Sequence, residues 1–391
     1  MTVAVILSAC RTSIGRFQGA LAGVPATELG ATAVRAALDE SGVSPDLVDE
    51  VILGMVLPSG VGQAPARQAA LRAGIPSHVG ALTINKVCGS GLKAVMLASQ
   101  SVRCGDASVV VAGGMESMSR APWLIERQLH GLGDRVLVDS LTHDGLRCSV
   151  SQVSMGELAE RLASRQGITR ADQDAYACES HRRAIAAQRD NLFDDEIVSL
   201  SVSSKSAALR IGSDEGPRKE CSFEQLAGLR PAFLAEGSVT AGNSAMISDG
   251  AAALVVTSAE FSNSYQFAPR AEIVAATTAG LEPEDLFLAP VEAIRKLLAL
   301  TRLRIEDIDL WEINEAFAVQ MLACQRMLGI SSESLNRHGG AIALGHPIGA
   351  SGARILTTLI HSLRRDDREL GVAALCLGGG NAVAMLVKRL S

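Results

Sequence analysis

Predominantly apolar runs recur along the chain and predict strands that are buried on both faces. They lie at residues 3–7, 51–56, 250–258 and 310–313. Between them, apolar side chains return every three or four positions, as on the buried face of a helix. Glycine clusters separate the two kinds of segment and read as turns. Strands apolar throughout are typical of sheets covered by helices on both faces, so the pattern predicts an α/β fold.

The pattern also contains an internal repeat. Asp309 lies 260 positions after Asp49, and the flanking apolar and basic residues match at the same offset. Each copy reads as an amphipathic helix, an acidic turn and an apolar strand. Further on, Cys88-Gly89-Ser90-Gly91 is echoed by Gly349-Ala350-Ser351-Gly352, and residues 108–114 are echoed by 374–380. Any two α/β segments share some likeness, but an offset held through helix, strand and glycine turn favours duplication.

A different kind of sequence separates the copies. From Met118 to about Val239 the chain is more charged and less periodic. We predict helices over 157–166 and 172–188 and a serine-rich turn over 199–206. The strand at 250–258 then completes the first copy. The expected architecture is two similar α/β halves with an inserted loop domain lying over them.

Composition narrows the classes of protein that fit this fold. The 391 residues suggest two or three domains, and 36 basic against 42 acidic residues give a net charge of −6. With no long basic run and few aromatic residues, the chain is not expected to bind nucleic acid. No apolar stretch approaches the ~20 residues that span a bilayer, and no basic leader precedes the first strand.

The cysteines indicate a reducing compartment rather than a set of structural disulfide bonds. All eight are scattered and none forms a CxxC pair, which is typical of reduced thiols in the cytoplasm. Neither an HExxH motif nor a Cys/His ligand spacing occurs, so we expect no metal site.

Four segments carry side chains suited to catalysis. Cys88 lies at a glycine-flanked turn into a helix, where backbone N–H groups and the helix dipole lower a thiol pKa. His346 sits in an almost wholly apolar, glycine-lined run. Cys376 ends a predicted strand, and the glycines 378–380 after it leave N–H groups for an oxyanion. Asn314 follows another predicted strand.

Each segment also has a simpler explanation: a small residue in a tight turn, a capped core histidine, a plain turn after a strand, or a helix cap. Their shared position at the carboxyl ends of predicted strands favours the catalytic explanation. A Cys–His pair is the usual device for making a nucleophilic thiolate at neutral pH.

At these residues the sequence resembles the thiolase family, which includes acetyl-CoA acetyltransferases and 3-ketoacyl-CoA thiolases. The motifs CGSG, NEAFA, GHPIGASGAR and CLGGG occur in this order, and the resemblance extends over essentially the whole chain. It implies a five-layered α/β/α/β/α fold. Residues 1–117 and 249–268 would form the N-terminal half, 118–248 the loop domain, and 269–391 the C-terminal half.

The resemblance also implies roles for the site residues. Cys88 would carry the acyl group as a thioester, after His346 removes its proton. Cys376 would exchange the α-proton of acetyl-CoA. One oxyanion hole would consist of the N–H groups of Cys88 and Gly378, and the other of His346 with a water held by Asn314.

Coenzyme A would enter as a substrate, with no tightly bound cofactor, and lie on the loop domain. Arg218, in a DExPR-like segment, would face its nucleotide end, although a surface arginine in a charged loop is the simpler alternative. Five residues would line the pantetheine tunnel or contact CoA beside it, and each could equally be an ordinary core residue: Met155, Phe233, Ala241, Ala245 and Phe317.

Three positions depart from the family pattern. Ser154 stands where many biosynthetic members have histidine, Ala245 where many have serine, and 381–382 follow Gly380 where another glycine is common. These differences bear on acyl-chain preference and direction rather than on the chemistry.

The implied activity is acyl transfer between thioesters, by condensation of acetyl-CoA with an acyl-CoA or by thiolysis of acetoacetyl-CoA or another 3-ketoacyl-CoA. The alternatives are a longer-chain degradative 3-ketoacyl-CoA thiolase, a condensing enzyme like the ketoacyl synthases, and a non-catalytic CoA-thioester-binding protein. Cys376 argues against the synthase, which would use histidine or asparagine there. The segment 122–141 matches the loop through which relatives form dimers of dimers, so a cytoplasmic homotetramer is expected.

Overall fold

The computed structural model describes residues 2–127, 134–203 and 208–390. Up to residue 117, strands and helices alternate in the order β1 (Ala4–Thr12), β2 (Gly15–Arg16), α1 (Ala26–Ser41), β3 (Glu50–Gly54), α2 (Pro65–Arg72), β4 (Gly80–Ile84), α3 (Ser90–Cys104) and β5 (Val109–Ser117). The strand expected over 51–56 therefore ends two residues earlier, at Gly54.

The next segment contains short strands and two longer helices: β6 (Trp123–Leu124), β7 (Val138–Asp139), α4 (Met155–Gln166), α5 (Arg170–Arg189), β8 (Ile197–Val198), β9 (Leu200–Ser203), β10 (Ala208–Ile211) and α6 (Phe223–Ala227). Both helices begin with a capping box, Ser154 with Glu157 and Thr169 with Asp172. The predicted helices are confirmed. The predicted serine-rich turn is wrong at residues 200–203, which pair with β10, and its residues 204–206 lie outside the described ones.

The remainder of the chain returns to long buried strands and helices: β11 (Ser248–Ser258), α7 (Ala259–Ser264), β12 (Ala271–Gly280), α8 (Ala289–Thr301), β13 (Leu310–Ile313), α9 (Ala318–Leu328), α10 (Ala341–Leu344), α11 (Ser351–Arg365), β14 (Leu370–Leu377) and β15 (Asn381–Arg389).

The long strands form two half-sheets that meet at a short junction. The order is β13-β14-β15-β12-β1-β11-β5-β3-β4, and β12 joins β1 through only two residue pairs. In the first half-sheet, β1, β11 and β5 pair antiparallel, and β5 and β3 pair parallel. In the second, β12, β15 and β14 pair antiparallel, and β14 and β13 pair parallel. The two half-sheets repeat one topology, as duplication predicts.

The repeat extends to single hydrogen bonds. The Oδ2 atom of Asp49 accepts the backbone N–H groups of residues 108–109 at 2.7 and 2.9 Å. The Oδ2 atom of Asp309 accepts those of residues 369–370 at 3.0 and 2.9 Å. Each carboxylate thereby fixes the start of the equivalent strand, β5 or β14, which confirms the alignment of the two copies.

Helices cover both faces of each half-sheet and produce five layers. Helices α1 and α2 pack on the outer face of the first half-sheet, and α8 packs on that of the second beside α9. Helices α3 and α11 lie between the half-sheets, and their apolar side chains share one buried cluster, while α11 also buries a polar face that includes Arg354 and His361. A leucine of these helices, fully removed from water, contributes about 1.5–3 kcal/mol of hydrophobic stabilisation.

The segment after β5 packs chiefly against the second half. Helix α4 contacts α9 and residues 283–288, and α5 contacts α6, α9 and α10. Within the described residues, the structure contains no helix whose length and apolar character would suffice to cross a membrane.

Candidate active site

The turn that carries Cys88 joins β4 to α3 and is strained. Val87 has φ of 46°, a left-handed conformation that a β-branched residue rarely adopts. Two side chains hold it: Asn85 Oδ1 accepts the Val87 N–H at 2.9 Å, and Ser90 Oγ accepts the Lys86 N–H at 2.8 Å. Strain that the surroundings maintain is typical of functional sites, and here it fixes the thiol at the start of a helix.

The thiol of Cys88 is nevertheless protonated at neutral pH. Burial raises its pKa to about 12, although the backbone N–H groups of Cys88 and Gly378 act on the sulfur in the opposite direction. The negative charge of Glu116 adds a smaller upward effect. The N–H groups therefore act in the expected direction, but the net pKa is raised because removal from water outweighs them.

Cys376 ends β14 close enough to Cys88 for their charges to interact. Burial raises its pKa well above the ordinary value for a thiol, and the negative charge that Cys88 can carry raises it further. The glycine turn after it is geometrically required. Gly380 has φ of 84°, and a Cβ there would lie 2.3 Å from the carbonyl oxygen of Leu281.

His346 follows α10 and is held from its backbone. Its N–H donates to the carbonyl oxygen of Met246 at 2.9 Å, and Ser248 Oγ is 3.2 Å away. Burial, and then the positive charge of Arg354, lower the pKa of the imidazole to about 3. Cys88 and His346 therefore form a neutral thiol and a neutral imidazole, not an ion pair.

Asn314 begins the connection that follows β13. Its backbone N–H donates to the carbonyl oxygen of Ala374 at 2.9 Å, and its Nδ2 is 3.5 Å from Nε2 of His346. Its amide oxygen is buried, and no described residue forms a hydrogen bond with it. A buried oxygen of this kind can accept a hydrogen bond from a water or a ligand.

One mostly apolar cavity connects Cys88, His346 and Cys376, whereas Asn314 is not part of its lining. Its polar and reactive lining consists of Cys88, His346, Cys376 and Gly378. The apolar lining includes Met118, Met155, Leu286, Phe287, Phe317 and Ile348.

The residues expected to contact CoA divide into two groups. Met155, Ala245 and Phe317 line the cavity. Phe233 does not, but its ring packs edge-to-face on Phe317 at 6.2 Å and is 38% exposed, so it lies at the outer side of that wall.

Arg218 and Ala241 are exposed and are absent from the cavity lining. The backbone N–H of Arg218 donates to Nδ1 of His181, a buried residue of α5, at 3.2 Å. A CoA contact by either residue would therefore lie outside the cavity that holds the thiols.

Three residues of the site were missed in the sequence. Ser351 contacts the His346 ring, and its place five positions along the same motif is a signal that could have identified it. Glu116 lies in the GGMES segment and accepts N–H groups from residues 56–57 and Gly349. Phe287 could not have been identified from the sequence around it, because the Leu-Phe-Leu stretch in which it lies belongs to no catalytic motif.

The described residues contain no group of three or more His, Cys, Asp and Glu side chains arranged to hold a metal ion. The chemically active groups at the site are two thiols, an imidazole, an amide and backbone N–H groups.

Comparisons with known proteins cover the whole chain. The family model "Thiolase, N-terminal domain" matches residues 4–260, and "Thiolase, C-terminal domain" matches residues 267–389. An acetyl-CoA acetyltransferase of Cupriavidus necator is 48% identical over 392 residues, covering 100% of both chains. An acetyl-CoA acetyltransferase of Escherichia coli is 47% identical over 390 residues, covering 99% of each.

A solved structure supports the same family assignment. The crystal structure of the Bacillus anthracis acetyl-CoA acetyltransferase has a TM-score of 0.96 and 41% identity, covering 100% of this chain and 99% of that one. These matches do not favour a ketoacyl-synthase-like enzyme or a non-catalytic binding protein. The paired thiols and imidazole, the duplicated five-layered fold and the full-length matches agree: this chain belongs to the thiolase family of acyltransferases.

Proposed function

We propose that this protein is an acetyl-CoA C-acetyltransferase, which interconverts acetoacetyl-CoA plus CoA with two molecules of acetyl-CoA. The observation that carries the proposal is one cavity lined by Cys88, His346, Cys376 and Gly378. The names of the full-length relatives support acetyl-CoA as the substrate. The apolar remainder of the cavity suits an acyl chain and excludes water.

In thiolysis, the Cys88 sulfur attacks the 3-keto carbon while Nε2 of His346 takes the thiol proton. Because the thiol pKa is about 12 and the imidazole pKa about 3, little thiolate exists before the attack. Proton transfer therefore accompanies formation of the S–C bond, which is general-base catalysis. The N–H groups of Cys88 and Gly378 stabilise the oxyanion, and one such donor is worth about 3 kcal/mol.

The C2–C3 bond then breaks, and the electron pair passes to the enolate of acetyl-CoA. The protonated His346, together with a water on the amide oxygen of Asn314, would stabilise the enolate oxygen. Cys376 delivers its proton to the enolate carbon, a role suited to a thiol whose raised pKa keeps it protonated. Its thiolate then takes the proton of an incoming CoA thiol, which attacks the acyl-Cys88 thioester. The bond to the Cys88 sulfur breaks, the second acyl-CoA is released, and Cys88 recovers its proton from His346. Condensation is the reverse sequence.

We further propose that residues 118–248 form the CoA-binding domain over the two halves, with Met155, Ala245 and Phe317 along the pantetheine arm. Support comes from the cavity lining and from Phe233 packed on Phe317. Arg218 would contact only the exposed nucleotide end. CoA would enter as a substrate and not as a resident cofactor, in a cytoplasmic enzyme.

A homotetramer formed through segment 122–141 is part of the proposal. Strands β6 and β7 in this segment pair as a hairpin, and residues 128–133 lie outside the described ones. The segment exposes four large apolar side chains, those of Trp123, Ile125, Val136 and Leu137. Exposed apolar clusters are typical of association surfaces. Sedimentation of wild-type protein, compared with a Trp123→Ser, Val136→Ser variant, tests the assembly, and a wild-type monomer would refute it.

Intact-mass spectrometry after brief exposure to acetyl-CoA tests the activity. We expect one acetyl group on Cys88 in the wild type, the same group added more slowly in Cys376→Ala, where the departing CoA sulfur has lost its proton donor, and none in Cys88→Ser. Condensation should stop in Cys376→Ala. Thiolysis should be fastest with acetoacetyl-CoA. A preference for longer 3-ketoacyl-CoA would instead assign the longer-chain degradative activity, and an unacetylated Cys88 would refute the mechanism.

A further inference from the structure

A serine hydroxyl holds the side of the His346 ring that faces away from the cavity. The Nδ1 atom of His346 is 2.6 Å from Oγ of Ser351. The same Oγ is 2.9 Å from the carbonyl oxygen of Pro347. Ser351 is completely buried at the first turn of α11, so water does not compete for either contact.

These contacts assign the ring protons. A carbonyl oxygen can only accept, so the single hydroxyl hydrogen of Ser351 is donated to Pro347. The Oγ atom is then the acceptor at the second contact, and Nδ1 of His346 carries the hydrogen that it donates. In a neutral imidazole the other nitrogen, Nε2, is left with a free electron pair.

The opposite side of the ring agrees with this tautomer. The group facing Nε2 is the amide nitrogen of Asn314, a donor, at 3.5 Å. We propose that Ser351 is a positioning residue, which fixes His346 as the Nδ1–H tautomer and so presents Nε2 as the proton acceptor for Cys88. This inference rests on the base role given to His346 in the proposed function.

Several hydrogen bonds hold the loop between His346 and Ser351 in one conformation. Pro347 accepts the backbone N–H of Ser351 at 2.9 Å in addition to its hydroxyl. Between them, the N–H of Gly349 donates to the carboxylate of Glu116 on β5 at 2.9 Å. The serine and the backbone of the histidine are thereby fixed relative to each other and to the first half-sheet, and turning the ring would break its contact with Ser351.

The tautomer can be observed directly, without a turnover measurement. Protein carrying ¹⁵N-imidazole histidine is studied by solid-state NMR near pH 7, and the His346 signals are assigned by their loss in His346→Asn. In the wild type we expect a protonated Nδ1 and an unprotonated Nε2. Protonation at Nε2 in the resting enzyme would overturn the proposal even if the enzyme is a fully active thiolase.

Kinetics of Ser351→Ala give a second, independent test. We expect kcat for acetoacetyl-CoA thiolysis to fall between about tenfold and a hundredfold, less than the roughly 10²–10⁴-fold contribution of a general base because His346 itself remains, with KM for CoA little changed. The ¹⁵N signals should change to a mixture of tautomers. The conservative Ser351→Thr variant, which keeps the hydroxyl, should recover most of kcat.

A matched control comes from the same helix. Thr357 is also completely buried, and its hydroxyl donates to the carbonyl oxygen of Ala353, four residues back, at 2.9 Å. Thr357→Val removes an equivalent helix hydrogen bond without touching His346, and should leave kcat and the tautomer unchanged. Equal loss of kcat in both variants, or wild-type kcat in Ser351→Ala, would contradict the inference. Wild-type activity in His346→Asn would instead refute the base role itself.

Discussion

Gly91 and Gly352 face each other where α3 and α11 begin, and neither position can hold a side-chain carbon. A Cβ on Gly91 would lie 2.8 Å from the backbone nitrogen of Ala353, and one on Gly352 would lie 2.4 Å from that of Leu92. The two glycines are equivalent in the repeat, so the duplication places the same small residue on both sides of one contact. This contact sets the distance between the two helices beside the active site.

Gly352→Ala is therefore expected to destabilise the protein by about 3 kcal/mol, because one of the two backbones must shift. Thermal or urea unfolding measures this change. Gly23→Ala is the matched control, since nothing lies within 4 Å of a Cβ there, and it should alter stability by less than about 0.5 kcal/mol. Equal midpoints for the two variants would contradict the close contact.

The alkylation rate of Cys88 by iodoacetamide should rise about tenfold per pH unit between about pH 6 and pH 9, without a plateau. The thiol pKa of about 12 leaves a small thiolate fraction that grows throughout this interval. Mass spectrometry of peptides separates Cys88 from the exposed Cys104, which serves as an internal reference. A pH-independent rate would indicate a resting thiolate–imidazolium pair and would be incompatible with a His346 pKa of about 3.

Glu116 should make the protein more stable in mild acid than in mild base. Burial raises its pKa from 4.5 to about 7, despite the N–H groups of residues 56–57 and Gly349. The folded state thus binds this proton more tightly than the unfolded state does. The resulting stability, up to about 3 kcal/mol, is present near pH 4.5 and is lost as the pH rises through about 7.

Glu116→Gln removes this titration. Urea unfolding of the wild type and the variant at a series of pH values should show the wild type losing stability relative to the variant as the pH rises from about 5 to about 7. Parallel stability curves would show that Glu116 does not titrate there.

Phe287 should limit the length of the acyl group. It is buried, lines the cavity, and packs edge-to-face on Phe317 with ring centres 5.3 Å apart. Phe287→Leu removes ring volume and should raise thiolysis of a longer 3-ketoacyl-CoA about tenfold relative to acetoacetyl-CoA, the effect of one or two methylenes in an apolar pocket. Phe193→Leu, at a buried site outside the cavity lining, controls for lost packing. An unchanged chain-length ratio in Phe287→Leu would exclude this role.

The sequence was most informative where chemistry and periodicity are local. Continuous apolar runs located the long strands, and Asp49 with Asp309 revealed the repeat, because one carboxylate performs the same task in each copy. Cys88, His346 and Cys376 were found from glycine-rich motifs. The two cysteines lie at or near the ends of strands, as expected, but the same expectation is wrong for His346, which follows the short helix α10.

Properties that depend on distant parts of the chain could not be predicted in the same way. The pKa of Cys88 depends on how completely the fold removes it from water, which the turn sequence does not contain. Phe287 enters the cavity from a segment with no motif of its own. Residues 200–203 form a strand despite their serines, because β10 supplies a partner.

The two half-sheets divide the proposed catalytic groups unequally. Cys88 follows a strand of the first, whereas Asn314, His346 and Cys376 belong to segments associated with the second. Either copy expressed separately would hold a nucleophile with no base, or a base with no nucleophile. The nucleophile and its proton acceptor can therefore meet only while the two halves are folded against each other, so this site belongs to the interface and to neither half alone.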